Sequence, residues 1–311
     1  MTVTTTTRQA QRAFTLVEMV IVIAITGVLV AAVAMFLRWP MQAYLDAARR
    51  ADMTDVADTA LWRIADDVRT ALPNSARVTS GATSYLELLQ MTSGWRYRAA
   101  ISSVPAAPGD ILDFDAAAPA DDKFDAFSLV ASLQGSQRPV AGNYVVVYNL
   151  GAATTSADSD AYQTMDPVAR ALNATANANV IASVANDPVN TQETLFTLGS
   201  VKRFPLRSPG SLMHVVSGPV SYICAPGAVD AQGNGTGTLT RQSGYAVTAA
   251  QGTPPAGGTA SLVAKNVTGC TITYSSTGAE VRNALVSMQL SLTIANETVT
   301  LYHEAHVSNV P

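Results

Sequence analysis

The chain has 311 residues, of which 48% are hydrophobic and 14% are charged. Its formal net charge is −4 at pH 7 and it has no cluster of lysine or arginine, which argues against a nucleic-acid-binding protein. The length allows a sizeable buried core, and the abundance of Ala, Thr, Ser, Gly and Val suits strands and polar loops in an extracytoplasmic domain.

The first element is an apolar segment over residues 14–37 that contains one acidic residue, Glu18. A helix that rises about 1.5 Å per residue is long enough here to cross a hydrocarbon core of about 30 Å. The leader, residues 1–13, carries Arg8 and Arg12 and no acidic residue, which predicts a cytoplasmic leader with the remainder outside. A charged side chain at the centre of a bilayer costs about 2.5–3.5 kcal/mol, so Glu18 needs a partner.

Two other kinds of N-terminal segment compete with a processed membrane helix. A conventional secretory signal has a basic start, an apolar core of roughly 7–15 residues and a small-residue cleavage site, for which residues 32–34 would serve. The length of the apolar segment and the position of Glu18 inside it argue against this signal. A plain, uncleaved anchor is the second alternative.

The leader and the segment Ala13–Glu18 resemble the class III signal of type IV pilins and of the pseudopilins of type II secretion. The resemblance implies that a prepilin peptidase cleaves between Ala13 and Phe14 and that Phe14 becomes a methylated N-terminus. Family members usually have glycine before the cut, so Ala13 is expected to slow cleavage rather than prevent it. The resemblance also implies that Glu18 pairs with the α-amino group of a neighbouring subunit's Phe14, the alternative being a carboxylate at headgroup level.

Helical periodicity continues over residues 38–72, with an apolar face and a polar face that is predicted to be a solvated surface. The apolar positions are Tyr44, Leu45, Ala48, Met53, Val56, Ala57, Leu61, Ile64, Val68 and Leu72. The polar positions are Asp46, Arg49, Arg50, Asp55, Asp58, Arg63, Asp66, Asp67 and Arg69. Pro40 is expected to kink or locally unwind the helix, and Pro73 disfavours helix at Leu72 and therefore ends it.

Residues 73–311 have the pattern of a β-rich head. Strands are predicted over residues 77–89, 95–101, 127–133, 143–148, 214–216 and 220–224. Residues 152–190, with a helical turn over 167–173, and residues 225–260, with an embedded segment over 244–248, are predicted to be long irregular loops. The clearest pattern is a hairpin, in which residues 285–294 alternate, 295–297 turn and 298–307 return.

The two cysteines, Cys224 and Cys270, lie in the C-terminal third, flanked by strand-like sequence. In an exported domain they are expected to form a disulfide, whereas in a cytosolic protein they would be buried thiols. The N-terminal segment favours export, so a disulfide is predicted.

The chain offers little that suggests chemistry. His303 and His306 are three residues apart in a strand-like segment and would face opposite sides, which argues against a zinc site. A weak calcium hypothesis rests on the densest acidic cluster, which includes Asp113, Asp115, Asp121 and Asp122. A solvated turn between strands is the preferred interpretation of that cluster. No nucleophile elbow, phosphate loop or CxxC pair is present, so we expect a non-enzymatic assembly module without a cofactor.

The C-terminal part sharpens the resemblance. Segments 203–209, 218–224 and 301–311, together with the helix from Asp46 to Ser75, are similar to MshO-type proteins, the large minor pilins of mannose-sensitive haemagglutinin (MSHA) pilus biogenesis. These are related to the J-type pseudopilins of type II secretion. The resemblance implies an α+β fold, a pilin-like lollipop in which a long N-terminal helix packs on a β-rich head.

The same resemblance implies a minor pilin that helps to initiate a type IV pilus. The large head, with long loops at 152–190 and 225–260, would crowd neighbours in a uniform lattice, which predicts a position at or near the filament tip. The protein is expected in the inner membrane of a Gram-negative bacterium, with its head in the periplasm, and later in the pilus at the cell surface. Its expected partners are major and minor pilins, the prepilin peptidase, the pilus assembly platform and the membrane. The alternatives are a J-type pseudopilin, a pilus-borne adhesin and an anchored periplasmic enzyme.

Overall fold

The computed structural model describes residues 15–98, 112, 114, 126–129, 133–135, 138–152, 156–188, 192–199, 202–275 and 283–309. The chain divides into two compact units, residues 1–52 and residues 53–311, and one long helix contributes residues to both. The elements are α1 (Leu16–Arg69), β1 (Arg77–Thr79), β2 (Ser84–Arg96), β3 (Ala126–Leu129), β4 (Tyr144–Val146), α2 (Ala161–Met165), α3 (Pro167–Ala171), β5 (Ala178–Asn186), β6 (Thr194–Leu198), β7 (Leu212–Ala225), β8 (Gly237–Ser243), β9 (Thr259–Ser275), β10 (Asn283–Ile294) and β11 (Glu297–Ser308). A long apolar N-terminal helix is thus followed by a strand-rich, antiparallel head, consistent with a pilin-like α+β fold.

Helix α1 runs without a break from Leu16 to Arg69 and includes Pro40. The local unwinding considered for Pro40 does not occur, and a kink there stays a prediction. The predicted end of the helix at Leu72 is wrong. The N–H of Leu72 donates to the carbonyl of Leu89 at 2.8 Å, so pairing with the sheet replaces the last expected helical turn.

The last part of α1, from Met53 onward, carries the apolar stripe that the periodicity predicts. Buried positions recur every three or four residues, as one face of a helix requires: Met53, Ala57, Ala60, Leu61, Ile64, Ala65 and Val68. They pack into one core with the inner faces of β2 and β7 to β11. A second core lies around Phe196 and Val215, farther along the sheet.

Strand β7 is the central strand of the sheet. One of its edges pairs with β2 along almost its whole length. Its other edge is divided, because β8 pairs with Val220–Ala225 and β4 pairs with His214–Val216. Between them lies Gly218, whose φ of +144° suits glycine, and the register with β2 shifts nearby. The two short strands predicted here are therefore one long strand with an irregularity.

Two series of strands extend from β7, and every pairing in them is antiparallel. One series has the order β8-β9-β10-β11, and the other has the order β4-β5-β6-β3. Among the described residues, β11 pairs only with β10, so it forms an edge of the sheet.

Two predicted loops turned out to contain regular structure. Residues 152–190 hold a 3₁₀ turn, α2, α3 and β5, and residues 225–260 hold β8. The expected helical turn is confirmed as α3, whereas the embedded segment 244–248 is not a strand. Strand β8 has one strongly apolar residue, Leu239, so its strand state depends on its position between β7 and β9 rather than on its own pattern.

The closing hairpin is confirmed, and its register is regular over all the residues of β11. Ala295 and Asn296 have φ values of +52° and +64°, which a two-residue type I′ turn requires. This hairpin is determined locally, by alternating residues on both sides of a tight turn.

The structure joins Cys224 of β7 to Cys270 of β9, with a Cα–Cα distance of 6.3 Å, as the sequence predicted for an exported domain. Strands β7 and β9 each pair with β8 and not with each other, so the disulfide is a direct covalent link between two strands that share no ladder of hydrogen bonds.

Replacing both cysteines by alanine is expected to lower the free energy of unfolding by about 4 kcal/mol. This is the chain-entropy estimate for a loop closed over a sequence separation of 46 residues. The measurement is denaturant unfolding of the full chain in detergent, with reduced wild-type protein as the matched control, which should lose a similar amount. Two free thiols in non-reducing peptide maps of the exported protein would contradict the prediction.

Candidate functional site

The N-terminal end of α1 carries the residues that the sequence singles out. Thr15 directly precedes the helix, and its Oγ1 accepts a hydrogen bond from the N–H of Glu18 at 3.3 Å. The carbonyl of Thr15 accepts the first helical hydrogen bond, from Met19, at 3.2 Å. Thr15 is therefore an N-cap, with Glu18 as the third helical residue. Ala13 and Phe14 lie outside the described residues, so their roles in processing stay predictions.

This geometry gives Glu18 a role that the sequence analysis missed. The pattern Thr-x-x-Glu is a capping box, in which the glutamate can reach back to the backbone N–H of the cap residue. The pattern is visible in the sequence and could have been found there. Glu18 thus has two candidate roles, one within its own chain and one toward a neighbour.

Electrostatics favours a negative charge at this position in either case. The start of a helix carries a partial positive charge, and Glu18 is the acidic residue of the first turn of α1. Cleavage before Phe14 would place a charged α-amino group near the same end. A carboxylate in the first turn would then be the nearest compensation for both positive features.

The following turns of α1 present apolar side chains that no described part of the chain covers. Leu16 is 81% exposed, Phe36 is 79% exposed, and the residues between them are exposed as well. The hydroxyl of Thr26 donates to the carbonyl of Val22, so this polar group is satisfied inside the helix. By length and composition the helix could span a membrane. Its exposed apolar surface requires lipid or other helices around it.

The polar face of α1 agrees only in part with the prediction of a solvated surface. Asp46 and Arg49 form a partly exposed ion pair at 3.2 Å, which contributes little to stability. Asp67, by contrast, turns toward the sheet. Its Oδ2 accepts hydrogen bonds from Nε of Arg241 at 2.7 Å and from the hydroxyl of Tyr222 at 2.6 Å. Burial, with the hydrogen bond to Asp67, raises the pKa of Tyr222 well above its ordinary value, so this hydroxyl stays a donor.

A second buried polar cluster lies on β1 and β2. Glu87 is fully buried, and its Oε2 accepts from Nε of Arg77 at 2.6 Å while its Oε1 accepts from the hydroxyl of Tyr245 at 2.9 Å. That hydroxyl also lies 2.6 Å from Oγ of Ser221. The Arg77 guanidinium lies 3.6 Å from the ring centroid of Tyr162. Burial, followed by the charge of Glu87, raises the pKa of Tyr245.

The Glu87 cluster also explains why residues 244–248 are not a strand. Arg77 donates to the carbonyls of Thr248 and Ala249 at 2.9 and 2.7 Å, and Asp166 accepts from the N–H of Ala249 at 2.8 Å. Within this segment, the side chains of Tyr245 and Val247 are buried. The charges of the cluster hold a loop in place and are paired with one another, an arrangement suited to stability.

The candidate metal residues are placed apart. His303 is partly buried, with its ring 5.0 Å from that of Trp62, whereas His306 is exposed on the opposite face of β11. His214 lies on β7. Within the part of the chain that the structure describes, no group of three or more His, Cys, Asp or Glu residues could hold a metal ion. The proposed calcium residues lie outside that part: Asp113, Asp115, Asp121 and Asp122.

Comparison with known proteins adds one finding. The profile of the prokaryotic N-terminal methylation motif matches residues 8–34, a range that contains the predicted cleavage site, Thr15 and Glu18. No curated protein and no solved structure matches the chain. The matched segment is a type IV prepilin-like signal, and it indicates a pilin-like or pseudopilin-like protein.

Proposed function

We propose that this chain is a minor pilin that helps to initiate assembly of a type IV pilus. The observation that carries the proposal is the N-terminal methylation motif at residues 8–34, which begins an exposed apolar helix. The motif implies processing by a prepilin peptidase and assembly with other pilins. A subunit of this kind is stored in the inner membrane and exchanges lipid for neighbouring helices when it assembles.

The proposal has a finer part, an MSHA-type pilus, which rests on the similarity of segments 203–209, 218–224 and 301–311 to MshO-type proteins. A J-type pseudopilin of type II secretion is the second candidate, because the same N-terminal motif serves both systems. The size of the head, residues 73–311, favours a position at or near the tip, where no subunit lies above it. Residues 152–190 and 225–260 contain regular structure, so the size of the head rather than irregular loops favours that position.

We also propose that the head acts without catalysis. In the described residues, the buried carboxylate of Glu87 and the half-buried carboxylate of Asp67 each bond to an arginine and a tyrosine. Groups held in this way are poor general acids or bases because their partners must be displaced before they can act. The head then serves to contact other subunits.

The experiment that tests the proposal is the determination of the mature N-terminus. We expect the chain extracted from membranes to begin with an N-methylated Phe14, and to keep its leader in a strain without prepilin peptidase. Ala13→Gly should accelerate cleavage, because glycine is the usual residue before the cut. Mass spectrometry of the N-terminal peptide after pulse labelling measures both results.

Three results would refute the proposal. A mature chain that begins at Met35 would mean a conventional signal, and an intact leader in peptidase-positive cells would mean a plain anchor. Processing that does not depend on the peptidase would also exclude a pilin. The head variant Glu304→Gln is a matched control, since this exposed residue lies far along the chain from the motif and should be processed like the wild type.

A further inference from the structure

Strand β11 has one edge that pairs with β10 and one edge that pairs with no strand among the described residues. Strand β11 pairs with β10 from Glu297 to Ser308 in a register without a single shift. It contains no proline and no lysine, and no bulge interrupts it. Proline, lysine and bulges are three devices that protect an edge from pairing with another chain, and the acidic residues of this strand are Glu297 at its start and Glu304. An edge of this length without those three devices is suited to accept a further strand.

The backbone groups that face outward can be assigned from the hairpin. In a hairpin with a two-residue turn, the residues that flank the turn bond to each other, and every second residue after them does the same. The remaining residues direct their N–H and C=O groups to the open edge: Thr298, Thr300, Tyr302, Glu304 and His306. Their side chains are all exposed, and Tyr302 is 62% exposed.

A large apolar side chain lies beside this edge. Trp62, on the part of α1 that packs in the head, remains 49% exposed although its ring lies 5.0 Å from that of His303. The guanidinium carbon of Arg69 lies 5.3 Å from the same indole. A strand added to β11 would cover the exposed side of Trp62 with the residues on the core-facing side of that strand. Half-exposed tryptophans that become covered on binding are frequent centres of protein interfaces.

We infer that the β11 edge binds an extended strand of a different pilin-like subunit. This inference rests on the proposed function. The partner strand would place apolar residues beside Val299 and Leu301 and polar residues outside, with a basic residue opposite Glu304, the carboxylate in the outward row. The partner is a pilin-like subunit because the N-terminal methylation motif implies assembly with other pilins, and a second copy of this chain is the competing occupant that the test must separate.

The test places a photo-crosslinking amino acid at position 302 of the full chain, in cells that assemble filaments. We expect irradiation to yield an adduct with one other pilin-like subunit, mapped by mass spectrometry to an extended segment of it. The matched control carries the same amino acid at position 289. Gln289 pairs directly with Tyr302 and is exposed, but it lies one strand away from the edge. Its adduct should be at least about tenfold weaker.

Two variants separate backbone pairing from side-chain contact. Thr300→Pro removes an N–H that faces the edge while the bonds to β10 remain, so the adduct should fall about tenfold. Thr300→Val keeps that N–H and should leave the adduct unchanged. Formation of the Cys224–Cys270 disulfide and the unfolding midpoint verify that the proline variant is folded. If it is not, Trp62→Lys, which disturbs the inner flank of the edge, takes its place with the same expected loss.

The outcomes distinguish this inference from the proposed function. Normal processing to methylated Phe14 together with no adduct, or with equal adducts at positions 302 and 289, overturns the inference alone. An adduct with a second copy of this chain also overturns it. Failure of processing refutes the proposed function, and the inference falls with it. An adduct with another subunit that is lost in Thr300→Pro and kept in Thr300→Val supports the inference.

Discussion

Replacing Glu18 by alanine is expected to block incorporation into filaments while membrane insertion stays intact or improves. Insertion becomes more favourable because the apolar helix no longer carries a carboxylate, which costs up to about 2.5–3.5 kcal/mol at the centre of a bilayer. Incorporation fails because the α-amino group of a neighbouring Phe14 loses its counter-charge in apolar surroundings. Leaving one charge of a buried pair alone costs about 3–5 kcal/mol, which corresponds to a loss of more than about 100-fold in docking.

The capping geometry makes two further variants necessary. Glu18→Gln keeps a side-chain oxygen that can accept from the N–H of Thr15, but it removes the charge. Thr15→Ala keeps the charge but removes the hydroxyl that caps the helix at 3.3 Å, at a cost of about 1 kcal/mol. If the charge is what matters, Glu18→Gln should fail like Glu18→Ala, and Thr15→Ala should assemble almost normally.

The measurement is the amount of each variant in sheared filaments relative to its amount in membranes, by quantitative mass spectrometry. The processed N-terminus of each variant is determined in parallel, so that a defect in cleavage is not mistaken for a defect in docking. Filaments with wild-type amounts of Glu18→Gln would contradict pairing with a neighbour's amine. Glu18 would then act as a helix cap only.

Glu87→Ala is expected to destabilise the head by about 3 kcal/mol, because it leaves the half-buried guanidinium of Arg77 without its carboxylate. It also removes the acceptor of the Tyr245 hydroxyl and so loosens the loop that Arg77 and Tyr245 hold in place. Glu87→Gln keeps the volume and one acceptor oxygen and should cost less. Denaturant unfolding of the full chain in detergent, with the disulfide intact, measures both.

A double-mutant cycle provides the matched control. Arg77→Met and Glu87→Met remove the two partners singly, and the double variant removes both charges at similar volume. Because each single change leaves an unpaired charge or an unpaired polar group, the double variant should lose clearly less stability than the sum of the two. Strictly additive losses would mean that the 2.6 Å pair contributes nothing of its own.

Apart from the disulfide, which joins cysteines 46 residues apart, the predictions that succeeded from sequence have determinants that lie close together in the chain. The apolar helix follows from composition over a short stretch, and its stripe from Met53 to Val68 follows from a period of 3.6 residues. The β10–β11 hairpin follows from alternation on both sides of a tight turn. The processing motif is also local, which is why a profile recognises residues 8–34 without information from the head.

The failures have the opposite property. Strand β8 has Leu239 as its one strongly apolar residue, and β5 contains mostly small and polar residues, so neither shows the alternation of a half-buried strand. The end of α1 was misplaced because the N–H of Leu72 donates to Leu89 of β2, and the carbonyl of Thr70 accepts from Met91 of β2, instead of continuing the helix. Such competition between helix and sheet depends on a strand that is only formed in the folded chain.

By itself the sequence determined the kind of N-terminus this protein has, its apolar helix and the hairpin that closes the chain. Only the tertiary structure decided that Glu87 is buried and that Asp67 is half-buried against the sheet, because their partners Tyr245 and Arg241 lie 158 and 174 residues away. It also decided that β11 is an edge strand, since this depends on whether another strand of the folded chain pairs with its second side. A charge is buried only where another element brings its counterpart, and that placement depends on the packing of the whole head rather than on any short stretch of chain.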